Sequence, residues 1–199
     1  RGTGYGAEKL QSKFGYKLAN GEIPAKGEVI PIGKGRIIRG AGSEFIDNSS
    51  ATRGKERKDR VAILSFGTRL GEALDAAEEV EKLNPEVSVT VADARYMKPL
   101  DVDLVRKLAD DHGVLITVEE GSIGGFGDHV MHFLSFDGLL DNGDLKFRPM
   151  VMPDEYFETA TQNEQYDQAG LNAEHIRDTV MKLTPRSVVQ AVPVLEEAQ

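Results

Sequence analysis

The sequence contains no cysteine. This absence excludes disulfides, a thiol nucleophile and every cysteine-ligated metal site, and it fits a reducing compartment. Long apolar runs are also missing, because none approaches the ~20 residues that a membrane-spanning helix needs. The chain is therefore expected to fold around an ordinary hydrophobic core without covalent staples.

Basic residues are the minority, with 24 Lys and Arg against 33 Asp and Glu and a formal net charge of −9. A chain this acidic is a poor general binder of nucleic acid or anionic lipid, since both are negatively charged. Hydrophobic residues make up 40% of the 199 residues and charged residues 29%, which is typical of a folded domain. The length predicts one domain plus additional segments. The chain begins with Arg rather than Met, which indicates a processed or truncated chain, or a proteolytic fragment.

The first 60 residues are rich in glycine and polar side chains, and they hold a single strand-like run at residues 33–39 (GKGRIIR). Residues 40–60 predict an exposed loop that ends in a mixed charge run. For this charge run we favour a solvated linker, with an anion site as the alternative.

A regular pattern begins at Val61. Three short, almost wholly apolar runs predict buried strands at residues 61–66, 87–91 and 114–118. The segments between them carry apolar residues at three- and four-residue spacing, which predicts two helices. Thr68 and Asp101 are the expected N-caps of these helices, and Gly113 is the expected C-cap of the second. Strands that alternate with helices predict parallel crossover units whose sheet is covered on both faces.

The third strand leads into a glycine-rich loop at residues 121–127 (GSIGGFG), and the apolar spacing after this loop predicts a further helix. Residues 147–152 (FRPMVM) predict a last strand. Asn172 is the expected N-cap of a final helix that ends near Leu183.

The glycine-rich loop follows a strand and opens a helix, where backbone N–H groups can hold an anion. Its spacing, G-x-x-G-G-x-G, matches neither the dinucleotide fingerprint nor a phosphate loop, and the preceding Glu119 and Glu120 would repel a phosphate. We therefore favour a tight structural turn in which Gly124 or Gly125 has a positive φ or a close backbone neighbour. An anion or ligand contact is the alternative.

Two pairs of side chains could carry acid–base or metal chemistry. Glu119 and Glu120 are adjacent at a strand end, so their side chains point to opposite faces and do not form a carboxylate pair. One of them is expected to bond the backbone of the loop. His129 and His132 share one side of a helix, but no third ligand has the spacing of a metal site, so capping, surface or core roles are expected.

Arg95 and Lys98 lie at the carboxyl end of the second strand, where open parallel sheets bind ligands. They could hold an anionic ligand or a carboxylate of a neighbouring domain. A structural ion pair is the interpretation that we favour.

Three segments together resemble a known family. They are residues 61–68 (VAILSFGT), 91–101 (VADARYMKPLD) and 117–127 (TVEEGSIGGFG). In order and spacing they resemble the C-terminal domain of the 1-deoxy-D-xylulose-5-phosphate synthase family, and the similarity extends over roughly residues 61–183. The VEEGSIGGFG string is specific to that enzyme, whereas KPLD is shared with transketolases and with pyruvate dehydrogenase beta subunits.

This resemblance implies an enzyme that uses thiamine diphosphate and magnesium. The whole enzyme joins pyruvate to glyceraldehyde 3-phosphate with loss of carbon dioxide, which is the first step of the non-mevalonate isoprenoid pathway. The family's Gly-Asp-Gly motif does not occur in this sequence, so upstream pyrophosphate and pyrimidine domains would bind the cofactor and metal. The resemblance therefore implies that this chain supports the fold and a homodimer without catalytic, cofactor-binding or metal-binding residues of its own.

One site residue follows from the resemblance. The family has an Arg-Tyr-Pro-Arg-Gly segment before the C-terminal domain, and its second arginine binds the substrate phosphate. Arg1, followed by Gly2, matches that position. The resemblance implies that Arg1 binds the phosphate of glyceraldehyde 3-phosphate, a role that suits a guanidinium fork.

The resemblance also implies a three-layer α/β/α fold with a five-stranded mixed, mostly parallel sheet, in which the strand near residues 34–39 runs antiparallel. It divides the chain into a connector (1–60), a transketolase C-terminal-like domain (61–183) and a tail (184–199). Two alternatives stay open: an autonomous α/β module that binds an anionic metabolite at residues 121–127, and the C-terminal domain of a keto-acid dehydrogenase beta subunit. A bacterial source would place the protein in the cytoplasm, and a plant or algal source in the plastid stroma.

Overall fold

The structure is a computed structural model that describes residues 29–184. Arg1 and nearly all of the expected C-terminal tail therefore lie outside the described residues. At the centre is a six-stranded sheet with the strand order β2-β1-β4-β3-β5-β6. Its strands are β1 (Arg36–Gly40), β2 (Ile46–Asp47), β3 (Arg60–Phe66), β4 (Ser88–Asp93), β5 (Val114–Ser122) and β6 (Lys146–Met152).

The sheet is mixed and mostly parallel, as predicted. β3 pairs in parallel with both β4 and β5, and β5 pairs in parallel with β6. β1 runs antiparallel to β4, which confirms the predicted antiparallel strand near residues 34–39. The sheet has one strand more than the five predicted, because β2 pairs in parallel with the end of β1. A two-residue strand leaves no periodic pattern in the sequence.

Helices cover both faces of the sheet. They are α1 (Ser49–Thr52), α2 (Leu70–Leu83), α3 (Val102–Asp111), α4 (Phe126–Phe136), α5 (Gln162–Gln168) and α6 (Ala173–Leu183), with a 3-10 helix at Arg57–Asp59. α2 and α6 pack on one face, and α3 and α4 pack on the other. This arrangement confirms the three-layer α/β/α prediction. None of the described helices is long and apolar enough to cross a membrane.

The central strand β3 explains why its sequence is apolar without alternation. Val61 and Ile63 pack toward α2 and α6, whereas Ala62 and Leu64 pack toward α3 and α4. All four side chains are at most 1% exposed. Burying one Val, Leu or Ile side chain contributes roughly 1.5–3 kcal/mol, so both layers hold the strand firmly. The loops at its carboxyl end are therefore anchored in a rigid core.

The charge run within residues 40–60 is not the solvated linker that we favoured. Arg57 donates from Nη2 to the carbonyl oxygen of Ala109 at 2.7 Å, near the end of α3. Lys55 donates from Nζ to the carbonyl oxygen of Val87 at 2.8 Å, just before β4. Carbonyl groups at element ends lack partners within their own element, and these cations satisfy them. The prediction is wrong because charge composition does not reveal whether water or a backbone carbonyl receives the side chain.

The helix caps agree with the sequence in two of three N-terminal cases. Asp101 is the N-cap of α3, and its carboxylate accepts a hydrogen bond from a first-turn backbone N–H at 3.2 Å. Asn172 is the N-cap residue of α6, although its side chain makes no capping hydrogen bond. The prediction for Thr68 is wrong, because Arg69 occupies the N-cap of α2. The hydroxyl of Thr68 instead binds a carboxylate at the edge of the sheet.

Gly113 lies one residue beyond the C-cap of α3, which is His112, so its predicted cap position is wrong by one residue. A Cβ at Gly113 would lie 2.8 Å from the Cα of Lys58. The glycine is therefore needed for the close approach of two backbone segments and not for a left-handed turn.

Candidate functional site

The candidate site lies at the carboxyl edge of the sheet, where β3, β4 and β5 end. The chain passes from β3 through α2 to β4 on one side, and then through α3 to β5 on the other side of β3. α2 and α4, which follow β3 and β5, lie on opposite faces of the sheet. A crevice between two such strand ends is where open α/β sheets bind their ligands.

Glu119 fills the glycine-rich loop from inside. Its side chain is 4% exposed, and its Oε1 accepts a hydrogen bond from the backbone N–H of Gly127 at 2.8 Å. A Cβ at Gly121 would lie 2.5 Å from Oε2 of Glu119, and a Cβ at Gly125 would lie 2.6 Å from the same atom. The glycines therefore make room for the protein's own carboxylate. The prediction that one of the two glutamates bonds the backbone of the loop is confirmed.

The turn within this loop is tight, as the sequence predicts. Gly124 has a φ of +92°, which a residue with a side chain rarely adopts. The backbone N–H of Gly125 donates to the carbonyl oxygen of Ser122 at 3.1 Å, and the N–H of Gly124 donates to the carboxylate of Asp128. The structural turn, rather than an external anion contact, is what this geometry supports.

Glu120 points to the opposite face and joins a second group of side chains. Its Oε1 accepts hydrogen bonds from the hydroxyls of Thr68 and Tyr166, the latter at 2.8 Å. The same oxygen lies 3.5 Å from Nε of Arg69, which is 8% exposed. The sequence did not single out Arg69 or Tyr166, because they are far apart in the chain and no spacing rule joins them.

Arg95 is held at the end of β4 in a left-handed backbone conformation, with a φ of 58°. Its backbone N–H donates to Oδ1 of Asp93 at 3.0 Å, and its Nε lies 3.8 Å from Oδ2. Nε of Arg36 lies 3.8 Å from the same oxygen. The favoured ion pair is therefore present for Arg95, whereas Lys98 is exposed.

The carboxyl group of Asp93 is partly buried between these two cations. Burial raises the pKa of Asp93, and the backbone N–H of Arg95 and the guanidinium groups of Arg36 and Arg95 oppose that rise. A left-handed non-glycine residue costs of order 1–3 kcal/mol, so the surroundings must hold Arg95 in place. The Asp93 carboxylate does this through the backbone and the side chain at once.

The two histidines of α4, His129 and His132, lie in different surroundings. His129 is partly buried, and this burial lowers its pKa, with Lys98 and His132 acting in the same direction. His132 is exposed, with its ring centroid 6.4 Å from that of Phe136.

A different group, near the end of α5 and the start of α6, brings potential metal-ligand atoms within 4.8 Å of one another: Asp167, Glu174 and His175. Two of its three members are exposed carboxylates.

Arg1, the expected substrate-binding residue, lies outside the described residues, so its role stays a prediction. What the described edge offers chemically is guanidinium groups paired with carboxylates at the ends of parallel strands. Such groups suit the binding of anions and contacts with other domains.

Comparison with known proteins identifies the fold. The transketolase C-terminal domain family matches residues 50–176, a range that includes β3 to β6. A solved structure described as "Split gene transketolase, inactive beta4 tetramer" is similar, with a TM-score of 0.57 and 26% sequence identity. The similarity covers 77% of this chain and 43% of that chain, so this chain spans less than half the length of that protein. With most of its sheet and both helical layers inside the match, the chain belongs to the transketolase C-terminal domain family.

Proposed function

We propose that this chain is the C-terminal part of a thiamine-diphosphate-dependent 1-deoxy-D-xylulose-5-phosphate synthase. The whole enzyme condenses pyruvate with glyceraldehyde 3-phosphate to give 1-deoxy-D-xylulose 5-phosphate and carbon dioxide. Membership of the transketolase C-terminal domain family is consistent with a part of a thiamine-diphosphate enzyme.

The observation that carries the proposal is residues 118–127 (VEEGSIGGFG). In the structure the residues of this string depend on one another. Its first glutamate, Glu119, is buried, and Gly121 and Gly125 leave room for the carboxylate of Glu119. The string is thus a matched set of residues and not a chance run of glycines. This supports the synthase over a keto-acid dehydrogenase beta subunit, which shares the KPLD turn.

Thiamine diphosphate and Mg²⁺ do not fit the glycine-rich loop among the described residues of this chain. The sequence has no Gly-Asp-Gly motif, and the glycine-rich loop surrounds the carboxylate of Glu119. A carboxylate at this place would repel a pyrophosphate. We therefore assign the cofactor and metal to upstream domains, and we assign to this chain the support of the fold and of a homodimer.

The test compares product formation by two samples. One is this chain by itself, and the other is this chain in complex with the polypeptide encoded upstream. Given pyruvate, glyceraldehyde 3-phosphate, thiamine diphosphate and Mg²⁺, the chain by itself is expected to form no product, because its sequence has no Gly-Asp-Gly motif to hold the cofactor. The complex is expected to form 1-deoxy-D-xylulose 5-phosphate, measured by chromatography of the phosphorylated product.

Turnover by the repurified chain without its partner contradicts the assignment. A complex that passes an acyl group to a lipoyl acceptor and forms no deoxyxylulose phosphate identifies a keto-acid dehydrogenase instead. Specific metabolite binding at the glycine-rich loop of the isolated chain supports the autonomous module.

A further inference from the structure

The position outside the carboxyl ends of β3 and β5, on the side of the sheet that α2 covers, is where an open α/β sheet places its binding crevice. The chain turns from β3 into α2 at Gly67, whose φ is +93°. The strand order reverses at this point, because β4 and β5 lie on opposite sides of β3. Glu120, near the end of β5, faces the turn.

Arg69 brings a buried positive charge to this crevice. It is the N-cap residue of α2, and its guanidinium carbon lies 3.7 Å from the ring centroid of Tyr166. Nη2 donates to the hydroxyl of Thr68 at 3.2 Å, and Nη1 donates to the side-chain oxygen of Asn172 at 3.5 Å. Nε is buried and has no hydrogen-bond partner among the described residues. A cation buried in this way requires a negative partner, because its desolvation is otherwise uncompensated.

Glu120 supplies that negative partner from within the chain. Its Oε1 receives the hydroxyls of Thr68 and Tyr166 and lies 3.5 Å from Nε of Arg69. The two side chains differ in freedom, since that of Glu120 is 30% exposed and that of Arg69 is 10% exposed. The carboxylate is therefore the member of the pair that water reaches, whereas the guanidinium is covered by the ring of Tyr166.

We propose that this crevice is a binding site for a phosphoryl dianion, such as the phosphate group of a small metabolite, and that Glu120 occupies the anion position until the ligand displaces it. The site lies on the opposite side of the β5 strand from the Glu119 carboxylate that fills the glycine-rich loop, and the proposal does not depend on the synthase assignment.

The chemistry of the donors favours a phosphoryl group over the resident carboxylate. Nε of Arg69 and the hydroxyls of Thr68 and Tyr166 surround one oxygen of Glu120. The first-turn N–H groups of α2 have no acceptor within the helix, and the helix macrodipole adds positive potential there. A dianion with three oxygens meets more of these donors than one carboxylate oxygen does, and it carries twice the charge.

In the test, inorganic phosphate is titrated into the full chain at about pH 7.5 and constant ionic strength. Phosphate binding is measured by calorimetry and by the ³¹P NMR line width. Glu120→Gln keeps the length of the side chain and removes the competing charge. We expect this variant to bind phosphate about 10-fold more tightly than the parent chain, because the ligand no longer displaces a charge-paired group. Tyr166→Phe keeps the stacking on Arg69 and removes one donor, so we expect binding about 2–10-fold weaker than in the parent.

A matched control is Arg106→Gln. Arg106 is also paired with a carboxylate, Asp137 at 2.7 Å, and its guanidinium carbon also lies over an aromatic ring, 5.1 Å from the centroid of Phe133. It stands on α3, away from the ends of β3 and β5. We expect Arg106→Gln to bind phosphate as the parent chain does.

Two results overturn the proposal. One is a Glu120→Gln variant that binds phosphate no more tightly than the parent chain. The other is an equal loss of binding in Tyr166→Phe and Arg106→Gln. Acetate at the same ionic strength is the second arm, and if it binds as tightly as phosphate, the site takes carboxylates and the phosphoryl assignment fails. Since the gain in Glu120→Gln cannot arise from unfolding, the proposal remains falsifiable even if Tyr166→Phe is unstable.

Discussion

Gly125 shows how a single hydrogen atom in place of a side chain preserves a buried carboxylate. A Cβ at this position would lie 2.6 Å from Oε2 and 2.9 Å from Cδ of Glu119. The other oxygen of that carboxylate holds the N–H of Gly127, so the group cannot move without losing a buried hydrogen bond. We expect Gly125→Ala to lower the free energy of unfolding by more than about 1 kcal/mol, measured by chemical denaturation.

Gly71 in α2 provides the control for this substitution. A Cβ at Gly71 would have no neighbouring atom within 4 Å outside its own helix backbone. Gly71→Ala should therefore leave the stability unchanged or raise it by up to about 1 kcal/mol, because alanine favours helix. Equal midpoints for the two variants would show that Glu119 does not constrain Gly125.

His112 couples the stability of the fold to pH. Its Nδ1 lies 2.8 Å from the carbonyl oxygen of Leu108, which can only accept, so the neutral ring donates there. Nε2 lies 2.9 Å from the hydroxyl oxygen of Thr90 and accepts from it. Burial lowers the pKa of His112 below its usual value of 6.5. The unfolded chain therefore binds this proton more readily than the folded chain does.

The sign of the pH effect follows from this difference. The stabilisation by the neutral ring is present above about pH 6.5 and is lost as the pH falls from there through the lower pKa of the folded state. We expect the melting temperature to fall between about pH 7.5 and pH 5.5, and to fall less in His112→Gln, which does not titrate. If both proteins lose the same amount, other groups cause the dependence on pH.

At the scale of elements, the 3-10 helix before β3 acts as the cap of another helix. Arg57 donates to the carbonyl oxygens of Ala109 and Asp110 at 2.7 and 3.0 Å, which places its charge at the C-terminus of α3. Arg57→Ala should lower the free energy of unfolding by about 1–2 kcal/mol, because two carbonyl groups and the negative end of the helix dipole lose their partner. Lys58→Ala is the neighbouring control, since that side chain is exposed, and its thermal midpoint should not change. A midpoint shift of equal size in both variants would rule out the capping role.

The elements that the sequence predicts well are those in which the spacing of apolar residues reflects the burial of one or both faces. β3, β4 and β5 are apolar because both faces of the sheet are covered, and α2 and α3 show the spacing of a half-buried helix. α5 escaped prediction because it buries none of its residues. A signal for it exists in the sequence, since Thr161 and Glu164 form a capping box at its start.

The candidate site likewise has one part that the sequence predicts and one part that it does not. The separate roles of Glu119 and Glu120 follow from the alternation of side chains along a strand, and the structure places the two on opposite faces. The contact of Arg69 with Tyr166 could not be predicted, because it joins two elements that only the tertiary fold brings together. Local rules thus give the direction of a side chain and not its distant partner.

At the scale of the whole enzyme, the prediction concerns Arg1 and rests on the proposed synthase. Its guanidinium should bind the phosphate of glyceraldehyde 3-phosphate, as the Pro-Arg-Gly position of the family implies. Removing a charge-assisted contact costs ~1.5–3 kcal/mol, so Arg1→Ala in the intact enzyme should lower kcat/KM for this aldehyde by roughly 10–200-fold. Unphosphorylated glyceraldehyde should be used almost as before, and decarboxylation of pyruvate should change far less. An equal loss with both aldehydes would mean that Arg1 is not the phosphate anchor.

The strand order has a consequence for the chain as it is synthesised. β1 is made before β3 and β4 but pairs with β4, so until Asp93 has left the ribosome its only neighbour in the described sheet is the two-residue strand β2. The apolar face of α2 stays uncovered for longer, because it packs against Ile176 and Val180 of α6, which is made last of the described elements. A nascent chain therefore carries an open hydrophobic face until almost the whole domain has emerged. Any product that stops before α6 presents that face to chaperones and proteases.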